Sequence, residues 1–246
     1  MAHPATRYLA GITLGLSVIA CRPRARSTAF HVVGAAASAS EWSGARPSAV
    51  RAAAATPSGA GVGDGKPWVL HIGDSFVEAF LEQNIAPRFK AAGARYVVQS
   101  ETATYTTTWA SSRELDAWLD LRPSLVLITL GANEVSLPAP EMRSRAVERL
   151  VQRISAATPS CVWITPLTWN GDTGILQVIY DHCRPCLFFD SDAVVGDLSA
   201  SERQADRIHP SPRGGARWAS AFWDWLSDHR DPGGPPWSLT RFERRL

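Results

Sequence analysis

The sequence has little net charge and no block of like charges. Its 246 residues include 25 Lys and Arg against 23 Asp and Glu, which leaves a formal net charge of +2. So small an imbalance does not support binding to nucleic acid or electrostatic attachment to an anionic membrane surface. The length suits one sizeable α/β domain with extensions rather than two domains, and we expect a monomer.

The sequence also lacks an apolar run long enough to cross a bilayer. Residues 8–20 are apolar and follow Arg7, but this run only has the length of a signal-peptide core. It ends in Val-Ile-Ala-Cys, which resembles a bacterial lipobox whose cysteine carries lipid. We therefore predict a signal peptide over residues 1–20 and a lipid on Cys21. The protein would be exported to the bacterial cell envelope or secreted, and the lipid would be its only attachment to a membrane. A short buried helix with a free cysteine is the alternative.

Residues 21–66 show no regular hydrophobic period. They consist largely of Ala, Ser, Gly and Pro with scattered Arg, and cannot bury enough apolar surface to offset the entropy lost on ordering. We predict a flexible spacer there, one folded domain over residues 67–230, and a C-terminal extension over residues 231–246.

From residue 67 onward, short apolar runs alternate with segments of helical period. The runs, which predict strands buried on both faces, are residues 68–72, 96–99, 125–130, 161–165 and 187–189. Helices are predicted over residues 76–92, kinked or divided at Pro87, and over residues 141–157 and 212–229. This alternation implies right-handed crossovers and a parallel sheet.

A first polar cluster lies between the first predicted strand and the first predicted helix. It consists of Gly73, Asp74 and Ser75. Active sites of parallel sheets form at the carboxyl ends of strands, and the N–H groups at a helix start favour developing negative charge. The cluster therefore predicts a serine nucleophile, although the same residues also suit a simple helix cap.

Two further clusters occupy equivalent positions. Gly131 and Asn133 follow the third strand, where an Asn amide can donate to a developing oxyanion, although both are also ordinary turn residues. Asp206 and His209 precede the last helix. Their spacing of three lets the carboxylate bind one imidazole nitrogen and leaves the other nitrogen as a base. An exposed ion pair of Asp206 with a neighbouring Arg is the alternative.

The order and placement of these clusters resemble the GDSL/SGNH hydrolase superfamily over roughly residues 68–227. The resemblance implies a flavodoxin-like three-layer α/β/α sandwich with a five-stranded parallel sheet, and neither cofactor nor metal. It also implies that Ser75 attacks an ester carbonyl, that His209 accepts the serine proton, and that Asp206 orients the imidazole.

The same resemblance implies an oxyanion hole formed by the N–H of Ser75 and the side chain of Asn133. Gly73, Asp74 and Gly131 would support these groups. The family usually has a glycine after the second strand whose N–H is a further donor, but this sequence has none there, and Thr104 is the nearest positional match.

A second departure from the family pattern follows Asn133. Glu134 stands where Asp is usual, and we expect a structural role for it.

Three cysteines remain if Cys21 carries lipid. Cys161 opens the fourth strand and Cys186 precedes the fifth, its expected neighbour, so a Cys161–Cys186 disulfide is reasonable in an exported protein, with Cys161–Cys183 as the rival pairing. The spacing of Cys183 and Cys186 also matches a redox motif, but the surrounding order of elements is not that of a thioredoxin-like site. A zinc site that included His182 would lack a second pair of ligands.

We expect an esterase that removes O-acetyl groups from cell-envelope or extracellular polysaccharide, because export brings a hydrolase to such substrates. The fold alone does not determine this. A lipase or lysophospholipase, an acyltransferase and a non-catalytic polysaccharide-binding module are the alternatives. Tyr105, Trp109 and Trp169 fall in predicted loops near the site, where they could stack on sugar rings, line an acyl pocket or simply pack the domain.

Overall fold

The computed structural model describes residues 65–158 and 160–240, except for the side chain of Phe80. The predicted signal peptide, the lipid on Cys21 and the spacer up to residue 64 lie outside the described residues, as do residues 241–246 of the predicted extension. Among the described residues, no helix is both long enough and apolar enough to span a membrane.

Five parallel strands form a single sheet in the order β2-β1-β3-β4-β5. Hydrogen bonding places Leu70 beside both Val97 and Val126, so β1 lies between β2 and β3. All five predicted strands are present, with small shifts at their ends. The strands are β1 (Trp68–Gly73), β2 (Arg95–Ser100), β3 (Leu125–Thr129), β4 (Cys161–Ile164) and β5 (Leu187–Phe189).

Seven α-helices connect or follow these strands in the described part of the chain. They are α1 (Glu82–Ala91), α2 (Thr106–Ala110), α3 (Arg113–Leu119), α4 (Ser144–Ala157), α5 (Ile175–His182), α6 (Ser191–Val195) and α7 (Pro212–Asp228). A π-helical turn, Val77–Leu81, leads directly into α1. Pro87 lies inside α1, so the helix is not divided there, and a kink at Pro87 stays a prediction. Its ring is on the exposed side of the helix, where water can satisfy the displaced carbonyl.

Alternate residues of the strands face opposite layers of helices, as the two-residue period of a strand requires. Leu70 and Val126 pack with residues of α2 to α5 on one face. Val69 and Leu127 pack with residues of α1, α6 and α7 on the other. Both faces of the sheet are therefore covered, and the predicted three-layer α/β/α sandwich is confirmed.

Helix α7 packs its aromatic stripe against the sheet, as its sequence predicts. Trp218 and Phe222 are fully buried, and Trp225 contacts Phe189 of β5 with ring centroids 5.3 Å apart. The chain then turns back, and Trp237 is buried against Phe89 of α1. The described part of the predicted extension thus adds to the core beside α7.

A disulfide joins Cys161 to Cys186 at the amino ends of β4 and β5. This confirms the predicted pairing and excludes the rival pairing with Cys183. The Cys183 thiol is free and 1% exposed, and its burial raises its pKa to about 12. Because Cys186 is bonded to Cys161, residues 183 and 186 form neither a redox pair nor a pair of zinc ligands.

Candidate active site

The carboxyl edge of the sheet brings the first and third polar clusters into contact. The Oγ of Ser75 lies 2.8 Å from Nε2 of His209, and Nδ1 of His209 lies 2.7 Å from Oδ2 of Asp206. The chain of hydrogen bonds therefore runs from a hydroxyl through an imidazole to a carboxylate. In this arrangement the imidazole can accept the serine proton while the carboxylate stabilises the resulting positive charge.

Ser75 stands at the sharp turn between β1 and the first helical segment. A Cβ at Gly73 would lie 2.3 Å from the carbonyl oxygen of Thr129 and 2.5 Å from a methyl of Val77, so only glycine fits between β3 and the helical turn. The Oδ1 of Asp74 accepts the N–H of Phe76 at 3.0 Å and caps the turn. The serine is thus presented at the start of a helix, where developing negative charge is favoured.

Asp74 is fully buried behind the nucleophile. Burial raises its pKa to about 7, and the charge of Glu134 acts in the same direction, while the N–H groups of Phe76 and Ala132 oppose the shift. A carboxyl group that gains or loses a proton near neutral pH therefore lies directly beneath the serine turn.

Asn133 lies beside this turn, on a short 3₁₀ helix that follows Gly131. Gly131 has a φ of 120°, a conformation that favours glycine. The Nδ2 of Asn133 donates to the carbonyl oxygen of Thr104 at 2.9 Å and lies 3.4 Å from Oδ2 of Asp74. The first contact orients the amide, and the second is long enough to be weak. Both of these contacts are to groups of the protein, so the role of Asn133 as an oxyanion donor stays a prediction.

Thr104 is buried next to Asn133, in the position where the family usually has glycine. It meets Asn133 through its carbonyl oxygen. Its hydroxyl accepts the indole N–H of Trp109 at 3.0 Å and donates to the carbonyl of Glu101 at 2.7 Å. The observed contact thus gives Thr104 a part in orienting Asn133. Its N–H as an oxyanion donor stays a prediction.

Glu134 has the structural surroundings that the sequence led us to expect. Its carboxylate is buried, accepts the hydroxyl of Thr106 at 2.7 Å and also the N–H of that residue, and forms an ion pair with Nε of Arg143 at 2.7 Å. Glu134 therefore connects α2 to the turn that precedes α4, just behind Asn133.

The loop that carries Asp206 and His209 is held by its own backbone. The Oδ1 of Asp206 accepts the N–H groups of Ile208 at 2.8 Å and His209 at 3.1 Å. Arg207, between them, has a φ of 61°. The hydrogen bond to the imidazole, aided by those from the backbone, lowers the pKa of Asp206 below its ordinary value. The carboxylate is therefore ionised at neutral pH.

Aromatic side chains next to His209 include one that the sequence analysis missed. The ring of Phe76 lies 5.1 Å from the imidazole and stacks on Trp169 at 5.6 Å. Trp169 is half-buried beside the site, whereas Tyr105 is 42% exposed. Trp109 is buried in α2 as part of the core, so its predicted loop position is wrong. The position of Phe76 directly after Ser75 is the only signal in the sequence that could have identified it.

Two cavities in the described part of the chain lie away from Ser75. One, of about 840 Å³, opens at the amino ends of β4 and β5, around Cys161 and Leu187. The other, of about 610 Å³, lies beside residues 230–236. Neither is lined by Ser75, Asn133 or His209. Residues 65–158 and 160–240 contain no group of three or more His, Cys, Asp or Glu side chains placed to hold a metal ion.

Solved structures of esterases share this fold. Axe2, an acetylxylan esterase from Geobacillus stearothermophilus, is 18% identical, with a TM-score of 0.52 over 73% of this chain and 99% of its own. The psychrotrophic esterase EstA from Pseudoalteromonas sp. is 18% identical, with a TM-score of 0.51 over 65% of this chain and 97% of its own. A carbohydrate esterase of family 3 from Talaromyces cellulolyticus is 17% identical, with a TM-score of 0.51 over 66% of this chain and 97% of its own.

A family model matches the sequence itself. The model of the GDSL-like lipase/acylhydrolase family matches residues 60–217, which is more than half of the chain and includes all three polar clusters. None of the curated proteins compared with the sequence matches it. From the extent of the family match, the chain belongs to the GDSL-like lipase/acylhydrolase family and is a serine hydrolase of carboxylic esters.

Proposed function

We propose that this enzyme hydrolyses short-chain acyl esters, with O-acetyl groups on cell-envelope or extracellular polysaccharide as its substrates, through an acyl-enzyme on Ser75. The observation that carries the proposal is the hydrogen-bonded chain from Ser75 through His209 to Asp206.

In the first step, the Oγ of Ser75 attacks the ester carbonyl carbon while Nε2 of His209 accepts the hydroxyl proton. The carbonyl oxygen becomes an oxyanion, which receives hydrogen bonds from the N–H of Ser75 and from the amide of Asn133. Collapse of this intermediate breaks the bond to the alcohol oxygen. His209 returns the proton to the departing alcohol, and Asp206 stabilises the imidazolium in between.

In the second step, water replaces the alcohol. His209 accepts a proton from water as its oxygen attacks the acyl carbon on Ser75. The second tetrahedral intermediate uses the same oxyanion donors. Its collapse releases the carboxylic acid, and the proton returns from His209 to Ser75. No redox change or external co-reactant besides water is required.

The acetyl preference is supported by the exposure of the catalytic side chains and by the fold comparisons. A long acyl chain would need a deep apolar groove beside the nucleophile, and the cavity of about 840 Å³ lies at the opposite edge of the sheet and cannot serve as one. The side chains of His209 and Asp206 are 27% and 43% exposed, which leaves room for a bulky alcohol such as a sugar chain. The half-buried ring of Trp169 offers an apolar surface near His209. The fold shared with an acetylxylan esterase and a carbohydrate esterase agrees with this choice.

The test is labelling by a fluorophosphonate probe together with hydrolysis of p-nitrophenyl acetate and octanoate. We expect labelling that disappears in Ser75→Ala and persists in Ser227→Ala, a control on the exposed side of α7. Asn133→Ala should lower kcat by roughly 10²-fold or more, because one oxyanion donor is lost. We expect kcat/KM for acetate to exceed that for octanoate by at least about tenfold, and acetate release from acetylated xylan.

Three outcomes would contradict the proposal. A preference for octanoate would indicate a lipase. Transfer of the acetyl group to an added alcohol in preference to water would indicate an acyltransferase. A folded protein that binds xylan but is not labelled would be a binding module rather than an enzyme.

We also propose that the enzyme is exported and anchored by a lipid on Cys21, since residues 8–21 combine a signal-peptide core with a lipobox-like end. Labelling of expressing bacteria with radioactive palmitate should mark the wild type and not Cys21→Ala. Equal labelling of both would overturn the anchor.

A further inference from the structure

The segment that carries Asp206 and His209 is a narrow loop closed at its base. Arg203 and Pro210 form an isolated antiparallel bridge, and the N–H of Gln204 donates to the carbonyl of His209 at 2.8 Å. Asp206 lies at the tip of this loop. Ile208 packs partly against the core, and polar contacts to the neighbouring loop add to what fixes the direction of this one.

The side chain of Arg203 reaches both this loop and a second one. Its Nη1 donates to the carbonyl of Ile208 at 2.7 Å, immediately before His209. Its Nη2 donates to the carbonyl of Thr168, in the loop that follows β4. One rigid guanidinium therefore joins two loops that lie 35 residues apart in the chain.

The second loop is itself fixed to the framework. The N–H and the hydroxyl of Thr168 donate to the carboxylate of Asp192 at 3.0 and 2.7 Å. Asp192 lies in the first turn of α6, which follows β5 directly. The contacts thus continue from the sheet through α6 and Thr168 to Arg203, and end at the residue before His209.

We propose that Arg203 is a positioning residue, which holds His209 within hydrogen-bonding distance of Ser75 by joining the His209 loop to the loop after β4. Its guanidinium donates to backbone carbonyls, whereas the reacting hydroxyl belongs to Ser75. Its effect on the reaction is therefore indirect. This inference rests on the proposed role of His209 as the base.

The carboxylates around Arg203 help to keep its guanidinium positively charged. Partial burial lowers its pKa, whereas the carboxylates of Asp192, Asp197 and Asp206 oppose the shift. Arginine stays protonated under such conditions because its ordinary pKa is so high. A lysine in its place would keep the charge but lose the planar fork that reaches two carbonyls at once.

The experiment compares Arg203→Met and Arg203→Lys with the control Arg153→Met. Arg153 also donates to two backbone carbonyls, those of Trp109 and Ser112, and pairs with a carboxylate, but it lies in α4 on the other face of the sheet. We expect Arg203→Met to lower kcat for p-nitrophenyl acetate by about 10- to 100-fold, because small misplacements of a catalytic group have effects of this size. KM should stay within about twofold, since the removed contact does not bind substrate.

Arg203→Lys should recover part of the lost kcat, and Arg153→Met should keep the wild-type kcat. Wild-type kcat in Arg203→Met, or a rise in KM with unchanged kcat, would overturn the proposal. Should Arg203→Met not fold, Arg203→Gln takes its place, because its amide can still donate to one carbonyl.

Amide hydrogen exchange of residues 204–209 tests the same contact without any substrate. Exchange should be faster in Arg203→Met than in Arg153→Met, because the loop loses its hydrogen-bonded link to the loop after β4. If the wild type hydrolyses none of the esters, the proposed function fails, and this comparison still decides whether Arg203 holds the loop. Equal exchange in the two variants would overturn the proposal.

Discussion

Replacing Asp206 with Asn changes one atom of the site and leaves its loop intact. The Asn oxygen can still accept the N–H groups of Ile208 and His209, which hold the turn. The other oxygen, 2.7 Å from Nδ1 of His209, becomes an amide nitrogen that donates hydrogen bonds. Nδ1 must then act as the acceptor, so the neutral imidazole carries its hydrogen on Nε2. That nitrogen faces Ser75 at 2.8 Å and can no longer accept the serine proton.

The expected loss of activity follows from this change of imidazole tautomer and from the exposure of the side chains of Asp206 and His209 to water. In serine proteases that use the same three groups, the equivalent change lowers kcat by about 10⁴. Here the side chains of Asp206 and His209 are 43% and 27% exposed, so water can replace part of the lost interaction. We therefore expect kcat to fall by about 10²- to 10³-fold, or roughly 3–4 kcal/mol of transition-state stabilisation.

The measurement is kcat for p-nitrophenyl acetate at about pH 7.5, where Asp206 is ionised. Its pKa lies below the ordinary value, so its charge-dependent stabilisation is present above that ordinary value and is lost only in more acidic solution. Asp197→Asn is the control, because it removes the same charge from an exposed position whose carboxylate, like that of Asp206, acts on Arg203. Activity of Asp206→Asn within about fivefold of wild type, or an equal loss in Asp197→Asn, would refute the reasoning.

Three further predictions concern the structure around the site. Because the pKa of Asp74 is raised to about 7 in the folded state, the folded protein holds a proton on this carboxyl group at pH values where the unfolded chain has lost it. The free energy of unfolding should therefore fall as the pH rises from about 4 to 7, by on the order of 3 kcal/mol relative to Asp74→Asn. Urea unfolding measures this difference. Replacing Cys161 and Cys186 by Ala should lower the free energy of unfolding by about 3 kcal/mol, because the bond closes a loop of 25 residues. Glu134→Ala should cost about 3–5 kcal/mol in thermal unfolding, because buried donors, including those of Thr106, lose their acceptor.

Each of these three has a control and a contradicting result. For the pH series, the control is Asp74→Asn. If its free energy of unfolding differs from that of the wild type by the same amount from pH 5 to 7.5, the Asp74 carboxyl group does not titrate in that range. For the disulfide, Cys183→Ala retains the bond and isolates the effect of losing a buried thiol, and a double variant as stable as the wild type would contradict the prediction. For the carboxylate, Glu148→Ala removes an exposed ion pair and should have little effect. Equal stability of Glu134→Ala and Glu148→Ala would contradict the structural role.

The strands were predictable because the sheet is covered on both faces. Strands β1, β3 and β4 are almost continuously apolar and all of their residues are buried, whereas β2, at one edge of the sheet, is only partly buried and was predicted from its short apolar centre. The short helices were not predictable in this way. Helix α2 has the sequence Thr-Thr-Thr-Trp-Ala, which has little intrinsic helix propensity. It forms where Glu134 accepts hydrogen bonds from its first residue, and that partner lies 28 residues away.

The residues of the candidate site likewise include some that the sequence could predict and others that it could not. Asp206 and His209 were recognisable because their interaction spans three residues and leaves a local pattern. The contact of Asn133 with the Thr104 carbonyl was not recognisable, since the two residues belong to different loops. Arg203 was missed for the same reason, because its position in the sequence resembles that of any other surface arginine.

By itself, the sequence determined which residues lie buried in the sheet and which polar groups follow its strands, because both depend on neighbours a few positions away. It also determined the family, through three short clusters in a set order. Only the tertiary structure decided that Ser75 and His209 meet, although 134 residues separate them, and that Thr104 turns its carbonyl toward Asn133. Contacts of this kind depend on the directions in which separate loops leave the sheet, and those directions are set by the packing of the whole domain.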